Sequence, residues 1–141
     1  MSTPETMRAW AKGAYNLEAG VELLIRSGLA DGGALSRHWS ASSFDWEGYL
    51  ASVEDGGWSG GQFRLLRLAT NLLLAGDLTD DRASVDLGWA MSGLDRRHLH
   101  LALAALAHAG GSHQHSDVSF DVEGLPTFGG GYLPPLVDWP A

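Results

Sequence analysis

The chain has 141 residues, no cysteine and a formal net charge of −8, and 45% of its residues are hydrophobic. That length and hydrophobic content predict one globular domain with a core of its own. The lack of cysteine excludes disulfides, thiolate zinc sites and a cysteine nucleophile.

The charge balance limits the kinds of partner. Nine Lys and Arg residues stand against 17 Asp and Glu, and no run of basic residues supplies the patch that DNA or RNA binding needs. No stretch approaches the ~20 apolar residues of a membrane span, and the N-terminus lacks a basic and apolar signal segment. We therefore expect a cytoplasmic protein that binds neither nucleic acid nor membranes directly.

Apolar residues near the start of the chain recur at alternating spacings of three and four, which predicts one long helix. They are Met7, Trp10, Ala14, Leu17, Val21 and Leu24. Thr3 is the predicted N-cap, with Pro4 at the first helical position, and Gly28 ends the helix. The Gly- and Ser-rich residues 30–43 predict a loop.

Two more helices are predicted in the middle of the chain. Asp45 is the expected cap of a short helix within residues 44–55. Ser59 and Gln62 form a capping box for a longer helix that Gly76 closes. The residues from Gly57 to Gly61 also match the G-x-S-x-G motif of hydrolase nucleophile elbows. Because no buried strand precedes that motif, we interpret Ser59 as a helix cap.

The last helical region begins with a short turn over residues 87–91. Asp95 then caps a helix that ends at Gly110. Its apolar residues lie nearly all the way round, so we expect it to be the buried central helix.

The chain changes character after Gly111. Residues 116–124 alternate polar and apolar side chains as a strand does. The Gly- and Pro-rich remainder is apolar and predicts an extended arm that is neither helix nor sheet core. The expected fold is therefore mainly α: a single-domain bundle of four to five helices with a short strand-like segment. The helical domain would span residues 1–123, and the arm, residues 124–141, would dock on it or on a partner.

Histidines cluster near the end of the last helix and suggest a metal site. His113, His115 and Asp117 alternate, so in an extended segment they would point the same way and could present ligands to zinc or another divalent ion. His108 is the one helix histidine placed to join them. The alternatives are acid–base catalysis and, as the interpretation we favour, solvent-facing and capping histidines at a helix C-terminus.

The C-terminal arm is too apolar to lie free in water without cost. Its candidate partner-binding residues are Phe128, Tyr132, Leu133, Pro134, Pro135, Leu136 and Trp139. Pro134 and Pro135 favour polyproline II, a common recognition conformation.

Two segments resemble a family of small helical actinobacterial proteins without an established function. WSGGQFRLLRLATNLL combines a Ser-Gly helix start with a Leu- and Arg-rich helix, and GLDRRHLHLALAALAHAGGSHQHSD carries an L-D-R-x-x-x-x-L helix that ends at Ala-Gly. The resemblance implies a helical fold and carries no functional residue.

Two classes of function follow from these observations. The first is a non-enzymatic interaction, regulatory or accessory protein with a protein partner or a second copy of itself, and without a cofactor. The second is a small metal-binding protein or metal-dependent enzyme that uses the histidines within residues 108–117.

Overall fold

A computed structural model describes residues 1–75 and 79–141; Gly76, the predicted end of a helix, lies outside them. The described residues form a single, mainly helical domain with one antiparallel hairpin near the C-terminus. The helices are α1 (Thr3–Ala11), α2 (Tyr15–Arg26), α3 (Trp46–Glu54), α4 (Gly60–Leu73), α5 (Leu87–Ser92) and α6 (Arg96–Ala109). The strands are β1 (Ser116–Phe120) and β2 (Pro126–Tyr132). The predicted helical class is confirmed, whereas four to five helices is too few for the six that are described.

The predicted long first helix is in fact two helices, α1 and α2. The backbone leaves the helical conformation at Lys12, and Gly13 follows with a φ of +98°, which glycine adopts at little cost. The N-cap is Ser2 rather than Thr3. The Ser2 hydroxyl accepts from the backbone N–H of Glu5 at 3.3 Å, and the Glu5 carboxylate accepts from the Ser2 N–H at 2.6 Å. This reciprocal pair is a capping box, which positions the start of the helix one residue earlier.

The other predicted N-caps are confirmed. The Asp45 carboxylate caps α3, and the Asp95 carboxylate accepts from a backbone N–H in the first turn of α6 at 2.8 Å. The Ser59 hydroxyl accepts from the Gln62 N–H at 3.2 Å, and the Gln62 side chain accepts from the Ser59 N–H at 2.9 Å. Ser59 therefore begins α4 and does not lie in a nucleophile elbow.

The core is centred on α2, which packs against both α4 and α6. This corrects the prediction that α6 is the buried central helix. Only one side of α6 is buried, by Leu101, Ala102, Ala104 and Ala105, whereas Leu103 is 44% exposed. Alanine contributes little apolar area, so an all-round apolar pattern rich in alanine does not require burial on every side.

The segment 30–43 is more ordered than a plain loop. It contains two short 3-10 turns, Asp31–Gly33 and Ser36–His38, and its Leu35 is fully buried. Trp39 stacks on Phe44 with ring centroids 4.2 Å apart and meets Trp10 edge-on at 6.1 Å. These contacts bind the segment to α1.

The predicted extended arm is partly a strand, because residues 126–132 pair with β1. Val118 lies opposite Phe128 and Ser119 opposite Thr127. Three consecutive glycines and a proline argued against a strand. Pro126, however, is the first residue of β2, a position where its missing N–H is tolerated. The boundary predicted between residues 123 and 124 falls within the turn of this hairpin.

Candidate functional site

Two features outside the helical core stand out: a groove beside α2 and the exposed hairpin. The groove has a volume of about 750 Å³ and lies between α1, α2, the end of α6 and the C-terminal residues 135–139. Its walls combine charged side chains with the apolar Val21, Val137 and Trp139.

A cluster of titratable side chains lies at one side of the groove, formed by Glu18, His108 and His113. His108 Nε2 lies 3.0 Å from Glu18 Oε1. The rings of His108 and His113 stack in parallel, with centroids 4.0 Å apart and planes 13° apart. Tyr15 meets the His113 ring edge-on at 5.0 Å. The three residues offer ligand atoms that all lie within 4.8 Å of one another, so together they could hold a metal ion.

The local backbone explains how His113 reaches this position. His108 lies in the last turn of α6, and the chain then reverses at Gly111, which has a φ of +75°. A side chain at Gly111 would also come within 3.1 Å of the Tyr15 ring, so glycine is required for both conformation and space. The 3-10 turn Ser112–Gln114 follows and lays His113 back over His108.

The environment shifts two pKa values in the cluster. Burial raises the pKa of Glu18, but hydrogen bonds from His108 and the Gly13 N–H outweigh it, so the pKa lies below its usual value. Burial lowers the pKa of His113, and the neighbouring charge of His108 lowers it further. Both shifts favour a carboxylate beside a neutral imidazole at neutral pH. That is the protonation state in which both groups are metal ligands.

The structure brings together only part of the metal site that the sequence predicts. His108 and His113 meet, but His115 and Asp117 are exposed and lie outside the cluster. The assumed alternation is wrong because His113 belongs to a 3-10 turn, and the strand begins only at Ser116. Sequence reasoning missed Glu18, which is 90 residues from His108 and carries no motif of its own.

The C-terminal residues 135–139 form one wall of the groove. The Leu136 N–H donates to the Ser112 hydroxyl at 3.1 Å, and the Asp138 carbonyl lies 2.8 Å from His100 Nε2. Trp139 packs against the core, with the Arg26 guanidinium 5.0 Å above its ring. Arg26 is itself held by Glu22 at 2.7 Å. Among the predicted partner-binding residues, Trp139 therefore packs within its own chain.

The hairpin has an apolar face that no other part of the described residues, 1–75 and 79–141, covers. Paired residues in a sheet share a face, so Val118, Phe120, Pro126 and Phe128 lie on one side, and Tyr132 pairs with Ser116 beyond an irregularity in the register. Phe120 is 70% exposed, Phe128 75% and Tyr132 64%. The opposite face carries the pair Ser119 and Thr127, whose hydroxyls are 2.7 Å apart.

The other predicted partner-binding residues adjoin this hairpin. Leu133, Pro134, Pro135 and Leu136 are all exposed, and Leu136 is 80% so. With Trp139 anchored, residues 116–136 form one continuous exposed segment.

Comparison with protein-family models, curated proteins and solved structures found no match. The resemblance to small actinobacterial proteins therefore stays a prediction. Across residues 1–75 and 79–141, no helix combines the length and apolar character needed to cross a bilayer.

Proposed function

We propose that this chain is a non-enzymatic protein-interaction protein whose contact surface is the apolar face of the β1–β2 hairpin. The observation that carries the proposal is the direction of that face. Phe120 and Phe128 share it and, with the adjoining Tyr132, are exposed to solvent, although a helical domain belongs to the same chain.

The stability of a hairpin supports the proposal that another molecule covers its apolar face. A two-stranded hairpin alone is marginally stable in water and gains its stability from packing on a third element. Here every residue of both strands is exposed, so the helical domain does not supply that packing. Burying an aromatic side chain contributes about 1.5–3 kcal/mol, and three of them are available.

The occupant that we propose is a second copy of the chain. The three aromatic rings alone expose roughly 400 Å², about half of what a standard interface buries on each partner. Leu and Val side chains at 118, 122, 125, 133 and 136 are also exposed and supply further apolar area. A two-fold pair that packs these faces together is self-complementary and closed, which is the commonest form of homo-oligomer.

The charges of the hairpin are compatible with this pairing. Asp117 lies on the polar face, next to Gly130, and Asp121 and Glu123 lie in the turn. When two hairpins pack face to face in antiparallel orientation, the two turns lie at opposite ends. The carboxylates then stay in solvent and apart from their counterparts.

The test is the mass of the untagged protein in solution, measured by analytical ultracentrifugation over a dilution series. We expect a dimer that the double variant Phe120→Ser/Phe128→Ser converts to a monomer with unchanged helical circular dichroism. The matched control is Leu103→Ser, which removes an exposed apolar side chain from α6 and leaves the dimer intact.

Two results would contradict the proposal. One is a wild-type monomer at the highest concentration that the protein tolerates, which would make a different protein the occupant. The other is a dimer that survives the double hairpin variant, which would place the interface elsewhere.

A further inference from the structure

We propose that Glu18, His108 and His113 form a binding site for a divalent transition metal ion, with Zn²⁺ as the expected ion. The site lies on the groove wall and not on the hairpin, so it does not depend on the proposed interaction surface. Three features carry the inference: a set of three ligand side chains, an unpartnered buried nitrogen, and open space beside them.

The unpartnered nitrogen is Nδ1 of His113. It is buried and has no hydrogen-bond partner within residues 1–75 and 79–141. Buried polar nitrogens are nearly always paired, so such an atom calls for an explanation. His113 shares its cluster with His108 and Glu18, whose side chains are also metal-ligand types.

The donor set matches zinc chemistry. Two imidazoles and one carboxylate are a common set of three protein ligands for Zn²⁺, with one coordination position left for water or another ligand. Here that position opens towards the groove, which both histidines and Glu18 line. The second carboxylate oxygen of Glu18 accepts from the Gly13 N–H at 3.1 Å. This outer contact orients Oε1 towards His108, as supporting hydrogen bonds do in metal sites.

The imidazole rings must turn for an ion to bind. Their planes are nearly parallel and stacked, so the nitrogen lone pairs run side by side and do not converge on one point. His113 is the ring that can move, because it belongs to a short 3-10 turn rather than to a helix. Its rotation breaks the stack with His108 and alters the edge contact with Tyr15. Metal binding should therefore change the environment of the Tyr15 ring.

The experiment uses the full untagged chain, stripped with a chelator and dialysed, and titrated with Zn²⁺ alone by calorimetry. We expect one ion per chain, and affinity weakened roughly tenfold or more in each of Glu18→Gln, His108→Ala and His113→Ala. Co²⁺ in place of Zn²⁺ should give the visible absorption of a four-coordinate ion. The Tyr15 ring resonances should shift on saturation.

The matched controls are His115→Ala and Asp117→Asn, which remove the other two ligands that the sequence suggests. Both should bind Zn²⁺ as the wild type does, because neither side chain belongs to the cluster. Glu18→Gln preserves size and keeps one oxygen that can accept from the Gly13 N–H, so its loss of affinity, at unchanged circular dichroism, reports lost ligation rather than unfolding.

Two outcomes would overturn the proposal. One is the absence of stoichiometric Zn²⁺ binding by the wild type. The other is affinity that depends on His115 and Asp117 and not on Glu18.

Discussion

Two glutamates of α2 form ion pairs with two other helices of the chain. Glu18 pairs with His108 at the end of α6, and Glu22 pairs with Arg8 of α1 and with Arg26. Burial raises the pKa of Glu22, but the hydrogen bonds from the two guanidinium groups outweigh it and lower the pKa overall. The carboxylate form of Glu22 is therefore the form that the fold stabilises.

The pH dependence of stability tests the environment of His113 in metal-free protein. Its pKa is lower in the folded state than the ordinary value of 6.5. As pH falls below that value, the unfolded chain binds the proton first, so the contribution of His113 is complete above pH 6.5 and is lost as pH falls towards the folded pKa. His113→Phe keeps a ring in the stack but does not titrate. We expect this variant to lose less stability than the wild type between about pH 7.5 and 5.5.

Chemical unfolding at several pH values measures this difference. Glu18, His108 and His115 are the charged and titratable groups that act on His113, and all three remain in the variant. Equal slopes for wild type and His113→Phe would contradict the prediction.

At the scale of elements, the fold depends on how closely α2 approaches α4. Gly20 makes that approach possible: a side-chain carbon there would come within 2.9 Å of Leu73 Cγ and 3.3 Å of the Ala69 carbonyl. Leu73 is buried and the carbonyl belongs to a helix backbone, so neither can give way freely. Gly20 is thus kept for helix packing, at the known cost of glycine in a helix.

The same substitution at two helical glycines tests this packing. Gly20→Ala should destabilise the protein by about 1–3 kcal/mol because it overpacks the α2–α4 contact. Gly60→Ala, at the first position of α4 with open space around it, should be neutral or stabilising by up to about 1 kcal/mol. Urea unfolding of both variants measures their free energies of unfolding relative to the wild type. A Gly20→Ala variant as stable as Gly60→Ala would show that the helices can separate without cost.

The hairpin and the C-terminal segment behave as different elements although they adjoin. Residues 116–132 have no buried side chain, whereas Trp139 packs between Arg26 and the end of α6. The C-terminal segment is anchored to the helices and helps to form the groove, whereas the hairpin leaves an apolar face exposed. This difference separates the proposed metal site from the proposed interaction surface.

At the scale of the whole molecule, the net charge of −8 opposes self-association. Two such chains repel each other, and salt screens that repulsion without weakening apolar contact. We therefore expect the dimer to become tighter as the salt concentration rises from about 0.05 M to about 0.5 M. Sedimentation velocity at fixed protein concentration measures the dimer fraction. A dimer that dissociates in salt would mean that ion pairs, and not the hairpin faces, hold the two copies together.

The sequence by itself determined the features that depend on neighbours in the chain. The N-cap residues Asp45, Ser59 and Asp95 were predictable because a cap contacts the backbone two or three residues away. The helical class followed from apolar periodicity, which reports the pitch of a helix before any packing occurs. The break at Gly13 was missed because the apolar period continues across it.

Only the tertiary structure decided which distant residues meet. Glu18 joins His108 because α2 and α6 pack side by side, a consequence of helix packing that no local spacing records. Strand β2 was missed because its glycines have low strand propensity, and pairing with β1 overrides that preference. The exposure of Phe120, Phe128 and Tyr132 was equally beyond the sequence. Hydrophobicity gives the free energy of burying a side chain, but the arrangement of the whole chain decides whether its own core or another molecule covers it.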